Sequence, residues 1–177
     1  MIELRAAGWD DVRLLRTWIR SPEQLRVWAG PGLDWPLTDA ELRAYVDEGA
    51  RGRLIWTAVT VEAGAPVGHA SLLIRDGGPV GRLGRILICP TRRGEGLGRA
   101  LMDACAQAAF AVDGVQTLTL GVYSHNVRAL RLYQSLGFSE VARAPAAFEV
   151  DGERWTGIEM ELPRGRWHAG RRVREVT

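Results

Sequence analysis

The stretch with the most chemical potential runs Ile86-Leu87-Ile88-Cys89-Pro90-Thr91-Arg92-Arg93-Gly94-Glu95-Gly96-Leu97-Gly98-Arg99. An apolar run stops at a proline, passes three alternate glycines and enters a segment with helical apolar spacing. Glycine lets the main chain approach a ligand with no Cβ in the way. The first turn of a helix carries unpaired N–H groups and the positive end of the helix dipole, so the pattern predicts an anion site. Arg93 and Arg99 add guanidinium groups able to fork onto phosphate oxygens. Together these parts make a cradle for a diphosphate. Two other phosphate motifs are excluded. A dinucleotide fingerprint needs a third glycine where Arg99 or Leu101 stands, and a Walker loop needs a lysine, which the chain lacks. A tight strand-to-helix turn without a ligand is the competing reading of the glycines alone.

A second segment, Asn126-Val127-Arg128-Ala129-Leu130-Arg131-Leu132-Tyr133-Gln134-Ser135-Leu136-Gly137-Phe138, reads as a helix with an Asn cap and a Gly stop. Tyr133 shares a face with Ala129 and Leu136, which turns it inward. An inward tyrosine taken alone is more often packing than catalysis. Cys89 and Cys105 form no CxxC pair, so neither a zinc cluster nor a disulfide framework is indicated. Cys105 falls in a helical apolar pattern and reads as core. Cys89 has no His or Asn placed by sequence to activate it.

These residues need elements to position them. Residues 2–6 read as a strand, and Asp10 and Asp11 open a helical stripe ending near Ile19. Ser21-Pro22-Glu23-Gln24 and Thr38-Asp39-Ala40-Glu41 carry capping signals for two further helices. Between them lies a Gly/Pro-punctuated loop from Trp28 to Pro36 with two tryptophans, Trp28 and Trp35. Strands are expected at 54–61, 66–75 and 81–89, with turns at Glu62–Ala65 and Asp76–Pro79. A helix over 97–111, a strand over 115–122, a helix over 126–136 and a closing strand pair turned at Asp151-Gly152 follow. That order predicts an α/β fold with a mixed sheet in one domain, residues 1–163. The Arg-rich tail over 164–177 is expected to be partly disordered or docked at Trp167.

Composition narrows the class. A chain of 177 residues with 46% hydrophobic content suits a single core. No apolar run nears the ~20 residues that span a bilayer, and Met1 to Arg5 reads as a strand rather than a leader. A cytoplasmic protein with no membrane partner is the expectation. The net charge of +2 does not imply a nucleic-acid partner. All 23 basic residues are arginine, so no lysine can form a Schiff base.

The two motifs together resemble the GNAT superfamily of N-acetyltransferases. Its Arg/Gln-x-x-Gly-x-Gly/Ala matches Arg93, Gly96 and Gly98, and its Asn-x-x-Ala-x-x-x-Tyr-x-x-x-Gly-Phe matches Asn126, Ala129, Tyr133, Gly137 and Phe138. The resemblance covers roughly residues 54–162 and extends to the first third only in element order. It implies a mixed, mostly antiparallel twisted sheet of about six to seven strands flanked by helices. It also implies acetyl-CoA as cosubstrate, with no metal. The backbone of Ile86, Leu87 and Ile88 would pair with the pantetheine arm where the strand splays from its neighbour. Arg93, Gly94, Glu95, Gly96, Leu97, Gly98 and Arg99 would hold the pyrophosphate. Asn126 would touch the arm, and Tyr133 would serve as general acid to the departing thiolate. Relatives commonly dimerise. Many also carry a glutamate base on the strand before the motif, yet Arg82 to Ile86 offers no carboxylate. His69 is the substitute taken forward, with His125 and Glu149 as others and water as an equal alternative. Trp28 and Trp35 stand where relatives build a substrate lid. The acceptor implied is a primary amine of a small molecule or peptide; a silent acetyl-CoA sensor is the other reading.

Overall fold

The computed structural model describes residues 1–75, 77–150 and 152–167. The turns expected at Asp76 and Asp151 therefore involve residues outside this range, as does the tail beyond Trp167. Among the described residues, seven strands form one sheet: β1 (Ile2–Ala6), β2 (Arg53–Thr60), β3 (Pro66–Ile74), β4 (Val80–Ile88), β5 (Thr117–Tyr123), β6 (Ser139–Val150) and β7 (Glu153–Pro163). Their spatial order is β1-β2-β3-β4-β5-β7-β6. Only β4 and β5 run parallel, so the sheet is mixed and mostly antiparallel as expected. The helices are α1 (Trp9–Trp18), α2 (Pro22–Ala29), α3 (Asp39–Asp47), α4 (Leu97–Phe110) and α5 (Val127–Ser135).

Local chemistry explains the helix starts. Ser21 Oγ accepts from Gln24 N at 3.1 Å, and Pro22 occupies the first turn, where its missing N–H costs nothing. Thr38 and Glu41 form a reciprocal capping box, with Glu41 N donating to Thr38 Oγ1 at 3.2 Å and Thr38 N donating to Glu41 Oε2 at 2.8 Å. Asn126 Oδ1 accepts from Ala129 N at 3.3 Å and caps α5.

Two apolar clusters sandwich the sheet. On one side, Leu101, Met102, Cys105 and Ala109 of α4 pack on Ala70, Leu72 and Leu118. On the other, Leu15, Leu25, Leu42 and Tyr45 of α1 to α3 pack with Ile55, Leu87 and Cys89. Central β3 is covered on both faces, so its residues from Val67 to Leu72 are all buried. The last described turn, Arg164–Arg166, is docked. Arg164 donates to the carbonyls of Phe110 and Val115, and Trp167 stacks 5.3 Å from Phe110. No helix among the described residues is long and apolar enough to cross a membrane.

Candidate active site

The sheet opens where its one parallel pair begins. β4 and β5 are in register only at Val80–Thr117, Gly81–Leu118 and Arg82–Thr119, and from Leu83 onward β4 has no register partner on that side. A bulge accompanies the opening. Arg85 and Ile86 stand opposite Ala70 alone, because Gly84 pairs with Ser71 and Leu87 with His69. A bulge bends its strand and re-aims its side chains. Arg85 adopts φ 53°, a left-handed conformation unusual outside glycine, and Trp28 Nε1 donates to its carbonyl at 2.8 Å.

Below the opening, the chain turns into α4. Gly94 has φ 93° and Gly96, the residue before the helix, has φ 78°; both face open space, with nothing within 4 Å of an added Cβ. The first-turn residues Leu97 and Gly98 of α4 line a cleft, and their amides are among those a helix start leaves without an intrahelical partner. The cleft has a volume of ≈ 690 Å³, large enough for an extended ligand. Ile86, Leu87 and Ile88 line it from the strand. Arg93, Gly94, Gly96, Leu97, Gly98 and Arg99 line it from the turn, and Asn126 and Tyr133 from α5. Glu95 does not line it; its carboxylate pairs with Arg92 at 2.8 Å. Arg99 is braced by Ser135 Oγ at 2.6 Å.

Tyr133 is 7% exposed and packs 6.0 Å from Phe138. Burial, seconded by nearby Cys105, pushes its phenol well above the ordinary tyrosine value, so the hydroxyl holds its proton at any working pH. Burial also pushes the Cys105 thiol up to about 12, which leaves it inert.

A second cleft, ≈ 430 Å³, continues along β4 past Leu83, Gly84 and Arg85 and is closed by β5, β6 and β7. Val27 and Trp28 wall both clefts. Trp28 is therefore at the junction, whereas Trp35 is 42% exposed and lines neither. The lid expected from both tryptophans reduces to one.

His69 does not suit the role of base. It is 1% exposed, lines neither cleft, and its Nε2 lies 2.8 Å from the Tyr45 hydroxyl. Burial first, and the positive Arg85 second, lower its pKa from 6.5 to about 3. Such a ring is neutral near pH 7 yet too weak and too enclosed to take a proton from an entering amine. It has a consequence for stability. Between pH 6.5 and about 3 the unfolded chain binds a proton that the folded chain refuses, so stability held above pH 6.5 is lost as the pH falls through that window. Thermal melts of His69→Gln should depend less steeply on pH below 6.5 than those of the parent. Equal slopes would contradict the buried neutral ring. His125 is stacked 5.8 Å from Tyr123 and meets Trp155 edge-on at 4.3 Å, and Glu149 is exposed on β6. The carboxylate that does line the second cleft is Glu159, ion-paired with Arg82. Nothing local in the sequence marks it, because β7 brings it there from across the sheet.

An opened parallel pair with a glycine-led helix N-terminus beneath it defines a protein built to hold a long anionic ligand. The chain belongs to the acetyltransferase (GNAT) family, whose profile matches residues 16–138. It is 31% identical to a mycothiol acetyltransferase of Beutenbergia cavernae over 156 residues, covering 77% of this chain and 52% of that protein. It is 36% identical to the ribosomal protein bS18 alanine N-acetyltransferase of Escherichia coli over 78 residues, covering 44% of this chain and 52% of that one. The chain thus spans about half the length of the curated relatives it matches. In fold it resembles a spermidine N-acetyltransferase from Vibrio cholerae, solved with CoA and spermine, at a TM-score of 0.81 and 18% identity over 93% of this chain and 96% of that one.

Proposed function

We propose that the chain is an N-acetyltransferase that moves an acetyl group from acetyl-CoA directly to a primary amine of a small molecule or peptide. The observation that carries this reading is the split between β4 and β5 directly above the Gly96-led N-terminus of α4. That geometry fits acetyl-CoA in two ways. Gly94 and Gly96 leave open space beside the start of α4, whose first amides, at Leu97 and Gly98, lack intrahelical partners, which suits a diphosphate. Ile86 to Ile88 offer strand backbone with no partner on the β5 side, which suits an amide-bearing pantetheine arm.

When bound, acetyl-CoA supplies the acyl group as an activated thioester. The residues of this chain do the rest. Arg93, Arg99 and the amides from Gly94 to Gly98 hold the diphosphate. Asn126 spends its Oδ1 on capping α5, leaving its amide nitrogen for the arm. A backbone N–H of β4 stabilises the carbonyl oxygen as the amine adds. The new C–N bond forms as the C–S bond breaks, and Tyr133 donates its hydroxyl proton toward the leaving sulfur, with the proton the amine releases returning through water to keep the phenol neutral. Glu159 is already committed to Arg82 and Glu23 is the one carboxylate among the described residues lining the first cleft; we take water at the cleft mouth as the acceptor of the amine's proton.

The test is release of free CoA thiol on incubation with a panel of primary amines. Amine-dependent release with acetylated product is expected. Tight acetyl-CoA binding with no release from any amine would favour a silent sensor, a reading sustained by the lack of an unpaired carboxylate among the described residues lining the second cleft.

A further inference from the structure

We infer that the second cleft is built for an amine that also carries a compact oxyanion, a carboxylate or phosphonate, seated against Arg85 and Arg53. This rests on the acetyl-transfer reading and narrows its acceptor. Among the described residues, the cleft is lined by four arginines, Arg53, Arg82, Arg85 and Arg143, against one acidic residue, Glu159. Two of the four are neutralised. Arg82 pairs with Glu159, and Arg143 with Glu140 at 2.7 Å. Arg53 and Arg85 share the single carboxylate of Glu48, at 2.6 and 3.2 Å. Among the described residues one positive charge is left over, and it sits on side chains only 15% and 11% exposed. Buried charge is costly unless paired and hydrogen-bonded.

The donors are also unfilled. A guanidinium has five N–H groups. Among the described residues, Arg85 directs Nη1 and Nη2 at Glu48, and Arg53 uses Nε on Glu48 and Nη1 on Ser71 Oγ at 3.1 Å. The Arg85 group is held in place from three sides: it lies 4.0 Å over the Tyr45 ring, its carbonyl receives Trp28 Nε1, and its backbone is fixed by the bulge. A cation so constrained is preorganised for an incoming anion.

The cleft also has room. Gly84 floors it beside Arg85, and a Cβ added there would meet nothing within 4 Å. An oxyanion resting on Arg85 would leave the other end of a short molecule directed along β4 toward the junction at Val27 and Trp28, where the first cleft begins. A polyamine would meet the surplus positive charge instead.

Four acceptors on one short skeleton test this: an ω-amino carboxylate, the ω-amino phosphonate, the methyl amide of the former and the diamine. One anionic acceptor should exceed the neutral amide in kcat/KM by about tenfold or more, with the diamine last, and the two anionic arms tell carboxylate from phosphonate. Arg85→Met and Arg53→Met should each shrink that preference to about threefold or less while the Kd for acetyl-CoA holds. Should either variant fail to fold, Gly84→Leu fills the floor and should abolish turnover of the preferred acceptor with acetyl-CoA binding intact. Equal or faster acetylation of the amide or diamine overturns the oxyanion site and leaves acetyl transfer standing. No CoA release from any acceptor overturns the transfer reading, and this one with it.

Discussion

Tyr133→Phe is expected to lower kcat by about a hundredfold or more while the Kd for acetyl-CoA stays within about threefold. The substitution removes one oxygen from a side chain that is 7% exposed and packed against Phe138, so the ring keeps its place. The Tyr133 hydroxyl makes no hydrogen bond among the described residues and is not one of the buried unpartnered atoms, so it retains an opening toward the cleft it lines. Folding should lose little, because no buried partner is orphaned. The proton is what is lost. Burial keeps that proton on the phenol, where it is donated as a hydrogen bond to the sulfur as negative charge develops there. Steady-state turnover with a saturating amine, read with calorimetric acetyl-CoA binding, separates the two quantities. An unchanged kcat would remove Tyr133 from the proton transfer.

Gly96→Val acts on the other half of the site. Gly96 has φ 78°, a region that a β-branched residue reaches only at a cost of order 1–3 kcal/mol. The chain would relieve that strain by turning the peptide before α4, which moves the first-turn amides away from the cleft. A valine that stayed in place would put its methyls into the open space in front of those amides. Either response weakens a diphosphate contact, and the Kd for CoA should rise about a hundredfold, equivalent to about 2.7 kcal/mol. The melting temperature should fall by only a few degrees, since the buried face of α4 from Leu101 to Phe110 is untouched. Unaltered CoA affinity in a folded variant would show that the diphosphate lies elsewhere.

What could be read along the chain was whatever depends on near neighbours. The caps at Ser21, Thr38 and Asn126 are three-residue signals, and each is made in the structure by the atoms the spacing called for. The glycines at 94 and 96 were legible for the same reason, because a strand-to-helix turn needs positive φ within a few residues. Features made by distant segments were not. The bulge at Arg85 exists because β4 has one residue too many against β3, and no composition cue marks an arginine at φ 53°. His69 looked available because a lone histidine on a strand carries no sign of what will cover it. The fold places helices on both faces of β3 and closes His69 off. The second cleft was illegible for a related reason: Arg53, Arg85, Arg143 and Glu159 come from four different strands, and their charge balance appears only when the sheet assembles.

The most direct test of the account is the crystal structure of this chain with CoA. The account predicts the diphosphate within hydrogen-bond distance of the main-chain amides between Gly94 and Arg99, the pantetheine arm along Ile86 to Ile88 in the gap left by β5, and the sulfur beside the Tyr133 hydroxyl. A CoA bound with its diphosphate away from the start of α4, or with β4 and β5 zipped shut and the arm outside the sheet, would contradict it.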